Sequence, residues 1–107
     1  MTDQDRLTLD EMKKSDIMFA RNRDRVSTDL DGETVILDIS SGTYSSLNEV
    51  GSTIWNILEK PATFFAIVEG VMAEYDVDQE QCEHDLAVFL NDMLGYGLIA
   101  MKHDGDS

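Results

Sequence analysis

The pattern of apolar and polar positions changes once along the chain, near residue 48. Before that point, apolar residues alternate with polar ones over short runs rich in β-branched side chains, which is typical of strands. After it, apolar residues recur at intervals of three and four, which is typical of core-facing helices. The sequence therefore predicts a group of strands followed by a group of helices.

Three strands are predicted in the first half. Asp31 and Gly32 separate the first two, and both residue types accept the positive φ angles of a two-residue hairpin turn. A second turn, 40–42, is rich in serine and glycine. The third strand is short and polar, so it is expected at an edge of the sheet. The predicted strands are 26–30, 34–39 and 43–47.

Each of three predicted helices begins after a short polar residue. Asn48, Thr63 and Asp78 can accept a hydrogen bond from a first-turn amide. Pro61 ends the first helix, and glycines at 95 and 97 end the third. The core-facing stripes predicted from the spacing are Val50, Ile54, Ile57 and Leu58, then Phe64, Ile67, Val68, Val71, Met72 and Tyr75, then Cys82, Leu86, Phe89, Leu90, Met93 and Leu94.

Grouped strands followed by grouped helices predict an α+β fold, with a three-stranded antiparallel sheet followed by three helices in a winged-helix-like arrangement. The domain is expected to span residues 18–102. A flexible polar arm, 1–17, precedes it, and a polar tail, 103–107, follows it. Within the arm, Thr8 and Glu11 match a capping box, so a short helical turn is the alternative to a frayed tail.

The charge is distributed unevenly. Eight basic residues against 22 acidic ones give a net charge of −14, yet residues 1–25 hold six of each sign. The acidic excess therefore lies in the remainder, whose basic residues are Lys60 and Lys102. A duplex-binding protein needs a cationic face, and no Lys or Arg occurs in 64–96, so nucleic-acid binding is not expected. The acidic body favours a basic or neutral partner.

Residue counts and short motifs indicate the compartment and test for a catalytic or metal site. One cysteine, an N-terminus without an apolar signal region and no apolar run long enough for a bilayer predict a cytoplasmic protein that does not associate with membranes. Two histidines 19 residues apart and the lone Cys82 leave no zinc ligand set, and Gln81 stands where a calcium loop needs glycine. No phosphate or dinucleotide motif occurs. We therefore expect no catalytic residues, no metal and no cofactor.

A binding surface is the remaining possibility. An edge strand at 43–47 would present unpaired backbone groups, and such an edge can accept a peptide as an additional strand. Three alternatives stay open. The arm covers this edge; the edge pairs with itself in a homodimer; or the chain is a winged-helix regulatory domain.

Five segments in this order and spacing resemble the PqqD family of peptide-modification chaperones. The 47–51 stretch and Trp55 are more similar to its stand-alone members, including those of lasso peptide systems, than to the pyrroloquinoline quinone pathway member. The resemblance covers about residues 18–102. The segments are 30–39, 41–44, 47–55, 74–78 and 94–99.

The resemblance implies a non-catalytic chaperone and RiPP recognition element. Such a domain binds the leader of a ribosomally made precursor peptide and presents it to a modifying enzyme, such as a radical S-adenosylmethionine enzyme, a cyclase or a protease. It also implies that the leader adds as a strand to the third predicted strand, in a groove against the third helix. Carried over to this sequence, the expected peptide-binding residues are Thr43, Tyr44, Ser45, Ser46 and Leu47 on the strand and Asp85, Val88, Phe89 and Asp92 on the helix.

Overall fold

A computed structural model describes residues 7–23, 25–31 and 33–103 of the chain. Within these ranges, the chain forms four helices and six strands. The elements are α1 Leu9–Met12, β1 Ile17–Arg21, β2 Arg25–Leu30, β3 Glu33–Asp38, β4 Thr43–Leu47, α2 Glu49–Ile57, β5 Ala62–Thr63, α3 Phe64–Glu74, α4 Gln79–Gly95 and β6 Ile99–His103.

The predicted three-stranded antiparallel sheet is confirmed as β2-β3-β4, with β3 in the centre. Asp31 lies in the turn between β2 and β3 with a φ of 54°, as the hairpin requires. Its predicted partner in the turn, Gly32, lies outside the described residues. Leu30 pairs with Glu33 across this turn, and Asp38 pairs with Thr43 across the next one.

The three long helices and their caps are also confirmed. The side chains of Asn48, Thr63 and Asp78 accept hydrogen bonds from the amides of residues three positions later, at 2.8, 3.2 and 3.2 Å. The first of these helices ends before Pro61, which cannot donate to a helical carbonyl. Beyond the last helix, Gly97 adopts a φ of 75°, which ends the helix and turns the chain into β6.

A second sheet joins the two ends of the described chain and was not predicted. Its strand order is β5-β1-β6, and β1 pairs antiparallel with β6 from Ile17 opposite His103 to Arg21 opposite Ile99. The Arg21 guanidinium donates to the carbonyl of Trp55, which ties this sheet to α2. His103, assigned to the polar tail, is the last residue of β6, and 104–107 lie outside the described residues.

The N-terminal arm differs from expectation from Leu7 onward. Thr8 and Glu11 form the capping box of α1, and Met12 is fully buried. The short helix packs against α4, because Met12 supplies the apolar contact that the polar spacing of the arm concealed. Residues 1–6 of the arm lie outside the described residues.

The core lies between the second sheet, β3 and the three long helices. Phe19, Ile36, Trp55, Phe64 and Leu90 are essentially inaccessible to solvent within it. The expected core positions are wrong for Met72 and Val50, which are exposed because they lie at the margins of their helical stripes and none of the elements given above covers them. No helix in the described ranges is long and apolar enough to cross a membrane.

Candidate functional site

Strand β4 forms one edge of its sheet, because it pairs with β3 alone among the described strands. The hairpin between Leu30 and Glu33 closes on a hydrogen-bonded pair, so the backbone groups of Glu33 face β2. Successive residues of β3 then alternate between its two neighbours. The amide of Thr34 accordingly donates to the Ser52 hydroxyl at 3.0 Å on the β4 side.

The same alternation determines which groups of β4 are available. The backbone groups of Asp38 also face β4, and its carbonyl accepts a hydrogen bond from the Gly42 amide at 2.8 Å. Ser45, which lies opposite Ile36, therefore has its amide and carbonyl directed at β3. The amides and carbonyls of Tyr44 and Ser46 are directed away from the sheet, toward the open edge. These two residues offer the hydrogen bonds that another strand would need.

A recess of about 250 Å³ opens where β4 ends and α2 begins. Its walls come from the first turns of α2, from the end of α3 with the following loop, and from the first half of α4. Most of the walls are apolar. The recess is lined by Asn48, Val50, Gly51, Ile54, Val71, Tyr75, Val77, Cys82, Asp85, Leu86 and Phe89.

Close contacts fix the shape of the recess. A Cβ atom at Gly51 would lie 3.2 Å from Cε1 of Phe89, so glycine allows the aromatic ring of α4 to approach α2 closely. On the opposite wall, the Tyr75 hydroxyl lies 3.0 Å from Oγ1 of Thr53 and donates to the carbonyl of Glu49 at 3.3 Å. The recess is therefore held open by its own framework.

Asp85 is the charged residue of the lining. Its Oδ1 accepts from the Gln81 side-chain amide at 2.9 Å, and its carboxylate is exposed. Burial raises the pKa of the Cys82 thiol, and the carboxylates of Asp85 and Glu83 raise it further. The thiol is thus kept protonated at neutral pH, which suits a buried wall residue and not a nucleophile.

The structure separates the expected site residues into three groups. Thr43, Tyr44, Ser45 and Ser46 are exposed along β4, whereas Leu47 is buried. Asp85 and Phe89 line the recess. Val88 and Asp92 are exposed on α4 but do not line it.

The sequence did not identify the walls contributed by α2 and by the loop after α3. Two signals were present. Val77 is an apolar residue outside the predicted core-facing stripes, and Gly51 is a glycine within a helix. Such positions indicate a lined cavity when a second helix lies opposite. Across the described ranges, no group of three His, Cys, Asp or Glu side chains could hold a metal ion.

Comparisons with known proteins place this geometry in a family. The family model for the coenzyme PQQ synthesis protein D (PqqD) matches residues 33–99. A search of curated protein sequences finds no match. Two solved structures are similar to this chain.

The first is TbiB1 in complex with the TbiA(beta) leader peptide, with 36% identity and a TM-score of 0.69 over 82% of this chain and 98% of that one. The second is lasso peptide synthetase B1 complexed with the leader peptide, with 23% identity and a TM-score of 0.67 over 77% of this chain and 96% of that one. The second likeness concerns the fold alone. The family match spans more than half of the chain and includes β3, β4 and the three long helices, so the chain belongs to the PqqD family.

Proposed function

We propose that this protein binds the leader of a ribosomally made precursor peptide and presents it, without catalysis of its own, to a peptide-modifying enzyme. The observation that carries the proposal is an edge of β4 with which no described strand pairs, beside a preformed apolar recess. Strand addition supplies hydrogen bonds that any sequence can make, and a side-chain pocket supplies selectivity. A similar chain with 36% identity was solved with a leader peptide, which supports this choice of ligand.

The leader would lie antiparallel or parallel to β4, bonded to the outward backbone groups of Tyr44 and Ser46. An apolar leader side chain would fill the recess against Phe89 and Leu86. Burial of such a side chain contributes about 1.5–3 kcal/mol. Asp85 and Asp92 add negative charge along the same flank of α4, so the bound segment is basic or neutral there.

The division of labour follows from what the groove contains. Its polar groups are the strand edge, an asparagine cap, a tyrosine hydroxyl already hydrogen-bonded, the Cys82 thiol with its raised pKa and one carboxylate. Such a set holds a peptide but offers no base-activated nucleophile. The chemistry would come from the modifying enzyme, which would be a radical S-adenosylmethionine enzyme, a cyclase or a protease.

Proline substitution tests the strand-addition mode at single positions. Ser46→Pro removes an outward amide of β4 and leaves the pairing with β3 intact. We expect it to weaken the affinity for a fluorescently labelled leader, taken from the precursor encoded beside this gene, by about tenfold or more. Titration by fluorescence anisotropy measures this affinity.

The opposite edge of the same sheet provides a matched control. On β2, Ser27 directs its amide away from β3 by the same alternation, so Ser27→Pro should leave leader affinity within about twofold. Leaders N-methylated at single positions give a second readout on the unaltered protein, and alternate positions should lose affinity. Equal effects of Ser46→Pro and Ser27→Pro, with no alternation along the peptide, would reject strand addition at β4.

A further inference from the structure

The outer face of the β2-β3-β4 sheet is apolar, and no element in the described part of the chain covers it. Val26, Leu37 and Tyr44 lie directly opposite one another across the three strands and form one row. Their exposed fractions are 52%, 39% and 74%. Leu30, also exposed, lies on the same face of β2 by alternation.

This face differs in charge from the rest of the protein. Antiparallel sheets usually present polar residues to solvent on the face away from the core. Of the eight outward positions on these strands, Glu33 alone is charged, although 28% of the whole chain is charged. Depletion of charge around a large exposed aromatic residue is typical of the centre of a protein interface.

A second copy of this chain fits the face poorly. Two chains with a net charge of −14 each repel one another on approach, and an uncharged patch offers no compensating attraction. A partner without this charge is favoured.

The position of the row indicates which partner. The row ends at Tyr44, on the strand whose open edge is proposed to bind the leader. A leader added there would be a fourth strand, and alternate side chains of the leader would extend the apolar row. A protein seated on this face would thus contact the domain and the leader together.

We infer that the outer face, centred on Val26, Leu37 and Tyr44, is the docking surface for the peptide-modifying enzyme, which binds through an apolar, uncharged surface of its own. This inference rests on the proposed leader-binding function and adds to it where the enzyme binds. It also gives the order of assembly, since the surface is complete only when the leader occupies β4.

The test uses the modifying enzyme encoded beside this gene, purified separately, with biolayer interferometry in the presence and absence of saturating leader. Leu37→Lys places a charge at the centre of the row. We expect it to weaken enzyme binding at least tenfold and to leave leader affinity within twofold. On the wild type, leader should tighten enzyme binding at least fivefold.

Met72→Lys is the matched control, because Met72 is an equally exposed apolar residue on α3, with 36% of its surface accessible. It should change neither affinity. If Leu37→Lys lowers the urea unfolding midpoint, the pair Val26→Thr and Leu37→Thr, which places a β-branched residue at both strand positions, replaces it.

The outcomes separate this inference from the proposed function. Unchanged enzyme binding in both sets of variants, with leader binding intact, overturns the docking surface alone. Loss of leader affinity in Leu37→Lys also overturns it, because the face would then serve the leader. A wild-type dimer that Leu37→Lys converts to a monomer in light scattering overturns it in favour of self-association. Absence of leader binding by the wild type rejects the proposed function itself.

Discussion

The rest of the chain covers one flank of α4 and leaves the other flank exposed. On one flank, the N-terminal segment closes the surface. The Asn91 side-chain amide pairs with both backbone groups of Leu7, at 2.9 and 3.0 Å, and Lys13 forms a 2.8 Å ion pair with Glu83. On the other flank, Asp85, Val88 and Asp92 are exposed, and Phe89 faces the recess.

The difference shows how one helix serves stability and binding at once. The Asn91 side-chain amide hydrogen-bonds to both backbone groups of Leu7, as a neighbouring strand would. On the closed flank, the chain therefore supplies its own hydrogen-bond partner. On the open flank, the unpaired edge of β4 and the recess beside α4 have no such partner within the described residues. We therefore expect substitutions on the closed flank to change the free energy of unfolding, and substitutions of recess-lining residues on the open flank to change leader affinity.

The largest effect should come from the closed flank. Met12, the last residue of α1, is fully buried, so Met12→Ala leaves a cavity and should lower the free energy of unfolding by roughly 2–5 kcal/mol. Urea denaturation followed by circular dichroism measures this change. The leader affinity of the folded variant should stay within about twofold of wild type, since no part of α1 lines the recess. Unchanged stability would mean that the arm contributes nothing to the fold.

The next effect belongs to the open flank. Phe89→Ala removes the aromatic wall of the recess, and we expect leader affinity to fall about tenfold or more, which corresponds to about 1.4 kcal/mol or more. Isothermal titration calorimetry with the synthetic leader measures it. Val88→Ala is the control, because Val88 is adjacent in sequence, exposed and outside the recess. If both variants bind the leader equally well, the recess is not the leader pocket.

The sequence predicted local structure well because local structure depends on neighbouring residues. Alternation in β3, the positive φ of Asp31 and three polar caps are each determined within a few positions. The sheet joining β1 to β6 depends on residues about eighty positions apart, and periodicity carries no information about such partners.

The same distinction applies to the groove. The edge strand could be predicted from its polar, short pattern, whereas the recess required knowing which helices meet. Helical spacing placed Phe89 on the core-facing stripe of the third predicted helix but could not show that Gly51 lies opposite it. Nor could it distinguish Phe89 and Asp85, which line the recess, from Val88 and Asp92, which do not.

The smallest effect, and the most selective one, concerns pH on the closed flank. Hydrogen bonds from Lys13 and from Gln79 lower the pKa of Glu83 below its ordinary value of 4.5. A carboxyl whose pKa is lower in the folded state stabilises the fold above the unfolded pKa and loses this contribution as the pH falls through the folded value.

Glu83→Gln should therefore be less stable than wild type near pH 7, and the two unfolding temperatures should converge below about pH 4. Glu80→Gln, an exposed change on the same helix, is the control for the loss of one negative charge from α4. A difference in unfolding temperature between Glu83→Gln and wild type that stays constant from pH 7 to pH 3 would assign the contact to packing rather than to charge. Leader affinity at pH 7 should be the same for all three proteins, because the closed flank lies outside the recess.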